Sequence, residues 1–81
     1  MRARIEWLPP VWELLNELPP GVQDAIVEKV ELLARFPLMY PLQEKGRFRR
    51  HRRFLAGDWA VYYRVVENTI YIRGVWPARI P

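Results

Sequence analysis

Cysteine and serine are both absent from these 81 residues, threonine occurs once (Thr69), aspartate twice (Asp24 and Asp58) and histidine once (His51). Without cysteine there is no disulfide framework, no thiolate metal site and no thiol nucleophile, and one histidine cannot complete a zinc site. Without serine there is no Ser-His-Asp chemistry, and neither a GxGxxG nor a GxxxxGK phosphate loop occurs. We therefore expect no metal and no cofactor. No stretch approaches the ~20 apolar residues of a membrane span. The basic start MRARIEW also runs into no apolar stretch of signal-peptide length, so the sequence predicts a cytoplasmic chain with no membrane partner.

What is present suffices for one small domain, residues 1–81. Hydrophobic residues make up 51% of the chain and 11 of the residues are Trp, Tyr or Phe, enough for a core. At this length only ~60–65% of the unfolded chain's surface is buried on folding, so such a domain often leans on a partner.

The net charge of +4 hides a strong asymmetry. Residues 1–44 carry a net −3 and residues 45–81 a net +7. Six of the nine cations of the second half fall in KGRFRRHRR, residues 45–53: Lys45, Arg47, Arg49, Arg50, Arg52 and Arg53. Arginine dominates the run, and its planar fork suits phosphate better than lysine does, so a polyanion is the natural partner and these positions are candidate nucleic-acid contacts. The plainer reading is a charged strand edge that resists aggregation.

Ala3, Ile5 and Trp7 alternate with charged residues, the period of a strand with one buried face, and Pro9-Pro10 stops it. Val11, Leu14, Leu15 and Leu18 then fall at helical spacing up to Pro19-Pro20-Gly21. Val22, Ala25, Ile26, Val30 and Leu33 form the apolar stripe of a second helix, predicted over Val22–Phe36 and ended by Pro37, with Gln23, Asp24, Glu28, Glu31 and Arg35 on its wet side. Glu13, Glu17, Glu28 and Glu31 read as solvated helix surface. Residues 37–46, with two prolines and a glycine, read as an irregular connection. Three strands are predicted next. Phe48 to Leu55 is basic, Trp59 to Val66 is apolar on both faces, and Thr69 to Trp76 sets Ile70 and Ile72 against Tyr71 and Arg73. Asn68 is expected to take the positive φ of the last hairpin turn. The fold class is α+β, β-α-α-β-β-β, with a helical pair packed on a small antiparallel sheet. Tyr62, Tyr63 and Tyr71 are read mainly as core, as are Trp7, Trp12 and Trp59. Trp76, at a strand end before Pro77, is expected to be exposed.

The order of elements, with the strings LPPGVQDAIVEKVELLARFP, FPLMYP and above all GDWAVYYRVVENTIYIRGVWPAR, resembles the RelE/ParE superfamily, the toxin halves of toxin–antitoxin pairs. The resemblance covers nearly the whole chain. It implies a cytosolic toxin neutralised by a cognate antitoxin that covers the basic face. One branch of the superfamily enters the ribosome and cuts mRNA; the other poisons DNA gyrase without known nuclease activity. Internal RNA cleavage needs an activated 2′-hydroxyl, charge stabilisation at the phosphate and a protonated leaving oxygen. By the resemblance, His51 and Arg53 fall where the nuclease branch places its basic pair, and Arg79 falls near its arginine after the last strand. His51, Arg53 and Arg49 are expected to share one strand face. Two departures stand out: Ala60 occupies the position of that branch's middle-strand arginine, leaving Arg64 as the nearest match, and the chain ends Arg79-Ile80-Pro81 without a terminal Tyr or His. Since guanidinium cannot act as a base, His51 is the candidate for proton transfer, with Arg53, Arg64 and Arg79 beside it, although a lone histidine in an arginine run also reads as surface. The leading expectation is a ribosome-dependent mRNA endonuclease; the alternatives are a non-enzymatic gyrase inhibitor and a non-toxic RNA-binding module.

Overall fold

A computed structural model describes residues 2–78. The elements follow the expected order: β1 (Arg4–Trp7), α1 (Pro9–Glu17), α2 (Pro20–Arg35), β2 (Arg52–Ala56), β3 (Trp59–Val66) and β4 (Thr69–Pro77). With no serine to cap a helix, both helices start on proline. Leu8 and Pro19 make no side-chain cap bond, and the prolines at the first helical positions lend their fixed φ instead. The second helix thereby starts at Pro20, ahead of the predicted Val22. Gln23 joins the two helices by donating from Nε2 to the carbonyls of Leu18 at 2.7 Å and Asn16 at 3.2 Å, which serves carbonyls orphaned at the end of α1.

The sheet runs β1-β4-β3-β2. The β2-β3-β4 meander is antiparallel as expected, but β1 joins it parallel to β4, so the sheet is mixed. Arg4 N donates to Asn68 O at 2.9 Å, which anchors β1 beside the last hairpin. Val11 and Leu15 of α1 and Ile26, Val30 and Leu33 of α2 cover one sheet face, against Phe54, Val61, Tyr63, Ile70, Ile72 and Val75. Ile26, Leu33, Ile70 and Ile72 are completely buried, each worth about 1.5–3 kcal/mol of transfer free energy. Trp12 departs from the expected packing role: it is 47% exposed and touches Trp7 edge-on, ring centroids 5.5 Å apart.

Three local departures shape the opposite face. First, the basic segment is a strand only from Arg52; residues 47–50 form turns. Gln43 N donates to His51 O at 2.7 Å and Arg50 N to Gln43 O at 2.9 Å, closing a neck. Within the loop, Gly46 (φ 87°) and Arg50 (φ 67°) are left-handed, a conformation no strand ladder accepts. Neither Arg49 nor His51 therefore shares a strand face with Arg53, since β2 begins only at Arg52. Second, β4 slips by one residue, so that Tyr62 pairs with Gly74 but Tyr63 with Ile72, leaving Arg73 as a bulge. The slip reverses the alternation, so Val75 joins the core and Gly74 faces away from the helices. Third, Glu67 rather than Asn68 takes the positive φ of the β3–β4 turn, at 54°.

Candidate nucleic-acid interface

Side chains alternate along a strand, so the residues between the core positions form a helix-free outer face. Its cross-strand rows are Arg53, Tyr62 and Gly74; Leu55, Ala60 and Trp76; and Arg64, Tyr71 and Glu6. Two of the predicted arginines, Arg53 and Arg64, thus share this face, Arg64 exposed and Arg53 half-buried. Lys45, Arg47, Arg49 and Arg50 lie exposed in the loop that folds against it. Among the described residues no carboxylate pairs with Arg47, Arg49, Arg50, Arg53 or Arg64.

Arg52 does something else. As the first residue of β2 it shares the phase of Phe54 and Ala56, and its Nη1 donates to Tyr40 O at 2.5 Å and Leu38 O at 3.4 Å. It ties down the connection between α2 and β2. Tyr63 helps from the core, its hydroxyl donating to Pro37 O at 3.2 Å; burial raises its pKa to about 12, although the nearby Arg52 charge works in the other direction. Arg79 lies outside the described residues.

His51 is half-buried at the neck of the loop. Its Nδ1 donates to Arg49 O at 3.1 Å, while Nε2 is buried with no hydrogen-bond partner. The ring of Phe48 meets it edge-on at 5.5 Å between centroids. Phe48 itself stacks on Tyr62, centroids 4.1 Å apart and planes 13° from parallel, with Trp76 at 6.3 Å. Arg47 lies over Trp76, 5.0 Å from the ring centroid, a cation–π contact at a Trp that is 43% exposed. From the residues alone, Phe48 and Gly74 carry no assigned role and Tyr62 reads as core. The signals that could have found them are a lone aromatic in a basic run and a glycine inside a strand, which marks a bulge or a close approach.

Chemically, the face offers guanidinium groups for anionic oxygens, flat aromatic surface for stacking, and one imidazole. Among the described residues no cluster of His, Cys, Asp and Glu could hold a metal ion, and no helix is long and apolar enough to cross a membrane.

Three solved structures share the fold. The archaeal RelE–RelB complex from Pyrococcus horikoshii OT3 contains a chain that is 22% identical, with a TM-score of 0.81, the match covering 96% of this chain and 97% of that one. The toxin–antitoxin complex RelBE2 from Mycobacterium tuberculosis gives 21% identity and a TM-score of 0.80, covering 95% and 99%. A mutant of the Escherichia coli toxin RelE in the free state gives 13% and 0.72, covering 96% and 85%. No curated protein sequence matches significantly. A helical pair on one face of a mixed four-stranded sheet matches these RelE-like structures. Residues 5–80 match the family described as the ParE toxin of the type II toxin–antitoxin system parDE, and the chain belongs to that family, a toxin of the RelE/ParE superfamily.

Proposed function

We propose that this toxin acts through its helix-free face and arrests growth as a ribosome-dependent mRNA endonuclease in the cytoplasm, held in check by a cognate antitoxin. The observation that carries the reading is the interleaving of unpaired arginines with flat aromatics on that one face, the combination that holds single-stranded RNA. Arg53 and Arg64 are suited to stabilise charge at the scissile phosphate, and the exposed Lys45, Arg47, Arg49 and Arg50 to follow the flanking phosphates. His51 is the one ordinary group for proton transfer. Its free nitrogen is buried, with Phe48 packed against the ring, so this role requires the loop to move.

The occlusion of His51 favours a second reading, a gyrase inhibitor that breaks no bond and uses the same face to bind protein or DNA. Ala60 in the middle strand and the ParE family match favour it too. Primer extension on ribosomes carrying a defined message separates the two. On the nuclease reading, cuts require the ribosome and fall by about 10²–10³ in Arg53→Ala, the cost of removing one transition-state donor. An intact message from a protein still toxic in cells, together with loss of supercoiling by purified gyrase, selects the second.

A further inference from the structure

The contact between Phe48 and the sheet has the geometry of a ligand in a site. The ring lies nearly parallel to Tyr62, centroids 4.1 Å apart, the face-to-face arrangement in which a nucleobase stacks on an aromatic side chain. There is room because residue 74 is glycine: a Cβ there would come within 2.6 Å of Phe48 Cζ and 3.0 Å of Trp76 Nε1. One wall of the slot is His51, whose buried Nε2 has no partner. A phenyl ring cannot satisfy that nitrogen, whereas the polar edge of a base or a ribose hydroxyl can. Trp76, with Arg47 over its face, forms another wall.

The segment that carries Phe48 is arranged to lift. The bonds between Gln43 and residues 50 and 51 hold its ends together. Between them every residue of 44–50 is exposed except Phe48. The left-handed Arg50 and Gly46 lie at or near the ends of this span, and Arg50 is a bulky residue held where such residues rarely sit.

We infer that Phe48 occupies the place of a nucleobase: the slot above Gly74, between Tyr62, Trp76 and His51, binds one base of a single-stranded nucleic acid when the 44–50 segment lifts. Lifting also releases Arg47 from Trp76 to meet the phosphates. The inference rests on the proposed action on nucleic acid for the class of ligand alone and involves no cleavage step.

The test is equilibrium binding without ribosomes, by fluorescence anisotropy of 5′-fluorescein-labelled octa-adenylate RNA at fixed salt. Phe48→Ala empties the slot without changing a charge, and binding is expected to tighten about five- to tenfold, the lower range of one stacked base. Adding Tyr62→Leu, which keeps apolar cover but removes the flat surface, is expected to abolish the gain, and an RNA duplex of the same length shows none. An equal gain with octa-deoxyadenylate assigns the slot to the base alone; a gain confined to RNA adds a contact from His51 to the ribose hydroxyl. Unchanged or weaker binding by Phe48→Ala, or a gain that survives Tyr62→Leu, overturns the inference. Should Phe48→Ala melt before the assay temperature, Phe48→Leu is expected to show a smaller gain in the same direction, and no gain from it counts against the slot equally. Because no RNA is cut, the result stands apart from the cleavage assay.

Discussion

Tyr63 concentrates several of the forces that shape this fold in one side chain. It is fully buried in the middle of β3, and its hydroxyl reaches the carbonyl of Pro37 at the foot of the connection. Burial disfavours the phenolate and raises the pKa to about 12, above the 10.0 of a free tyrosine. A folded-state pKa above the unfolded value means the folded protein holds its proton longer. The contribution is whole below pH 10 and is lost as pH rises through about 12, on the order of 2–3 kcal/mol in all. Thermal melts between pH 8 and pH 12 should show this alkaline loss, and Tyr63→Phe should flatten it while costing about 1 kcal/mol at neutral pH for the missing hydrogen bond. Neighbouring Arg52 illustrates what a sequence does and does not disclose about one residue. Its charge was plain, but its use depends on strand phase: β2 begins at Arg52, so residues 52, 54 and 56 turn to the helix side while Arg53 turns to the outer face. A loop that absorbs residues 45–50 of the basic run fixes that phase, and nothing in the run's composition marks where the loop ends.

At the scale of elements, α2 was readable because 16 residues carry a regular apolar stripe between prolines. The stripe makes a paired prediction. Ile26→Ala, at a completely buried position, should cost about 2–5 kcal/mol, whereas Val27→Ala, at a position 37% exposed one residue on, should change stability by about 0.5 kcal/mol or less. Urea unfolding of the two variants checks the direction in which the helix faces. The meander was equally legible, from β-rich strands joined by short turns. The pairing of β1 was not: four residues of alternation fix a buried face but name no neighbour, and the parallel partner lies at the far end of the chain. Nor did alternation reveal the bulge at Arg73, since an inserted residue is invisible until the opposing strand is in place. The candidate site was legible in its charges and hidden in its aromatic floor, which depends on that bulge to turn Gly74 outward and on the loop to bring Phe48 back. Lys29 also acts at this scale: its Nζ donates to Leu55 O at 2.6 Å, covering one carbonyl on the open edge of β2.

Across the whole molecule, the chain separates much of its charge, with five of its nine acidic residues on the helices and the cations Lys45, Arg47, Arg49, Arg50, Arg53 and Arg64 in the loop and on the outer face. A separation of this kind predicts strongly salt-dependent binding of single strands. Replacing Arg47, Arg49 or Arg50 singly by Gln should lower the slope of log affinity against log salt by about 0.7 for each phosphate left without its cation, measured by anisotropy from low to physiological salt. The acidic helices lie on the other side of the sheet from this cationic face. Strand order has a further consequence, for the timing of synthesis. β4, the last of the described strands to be made, lies inside the sheet, between β1 and β3, so β1 has no partner and the core lacks Ile70, Ile72 and Val75 until β4 emerges. A nascent chain stopped before Thr69 has no complete sheet and no slot above Gly74. On the nuclease reading, the connectivity of the sheet therefore keeps the working surface from assembling until β4 has left the translating ribosome.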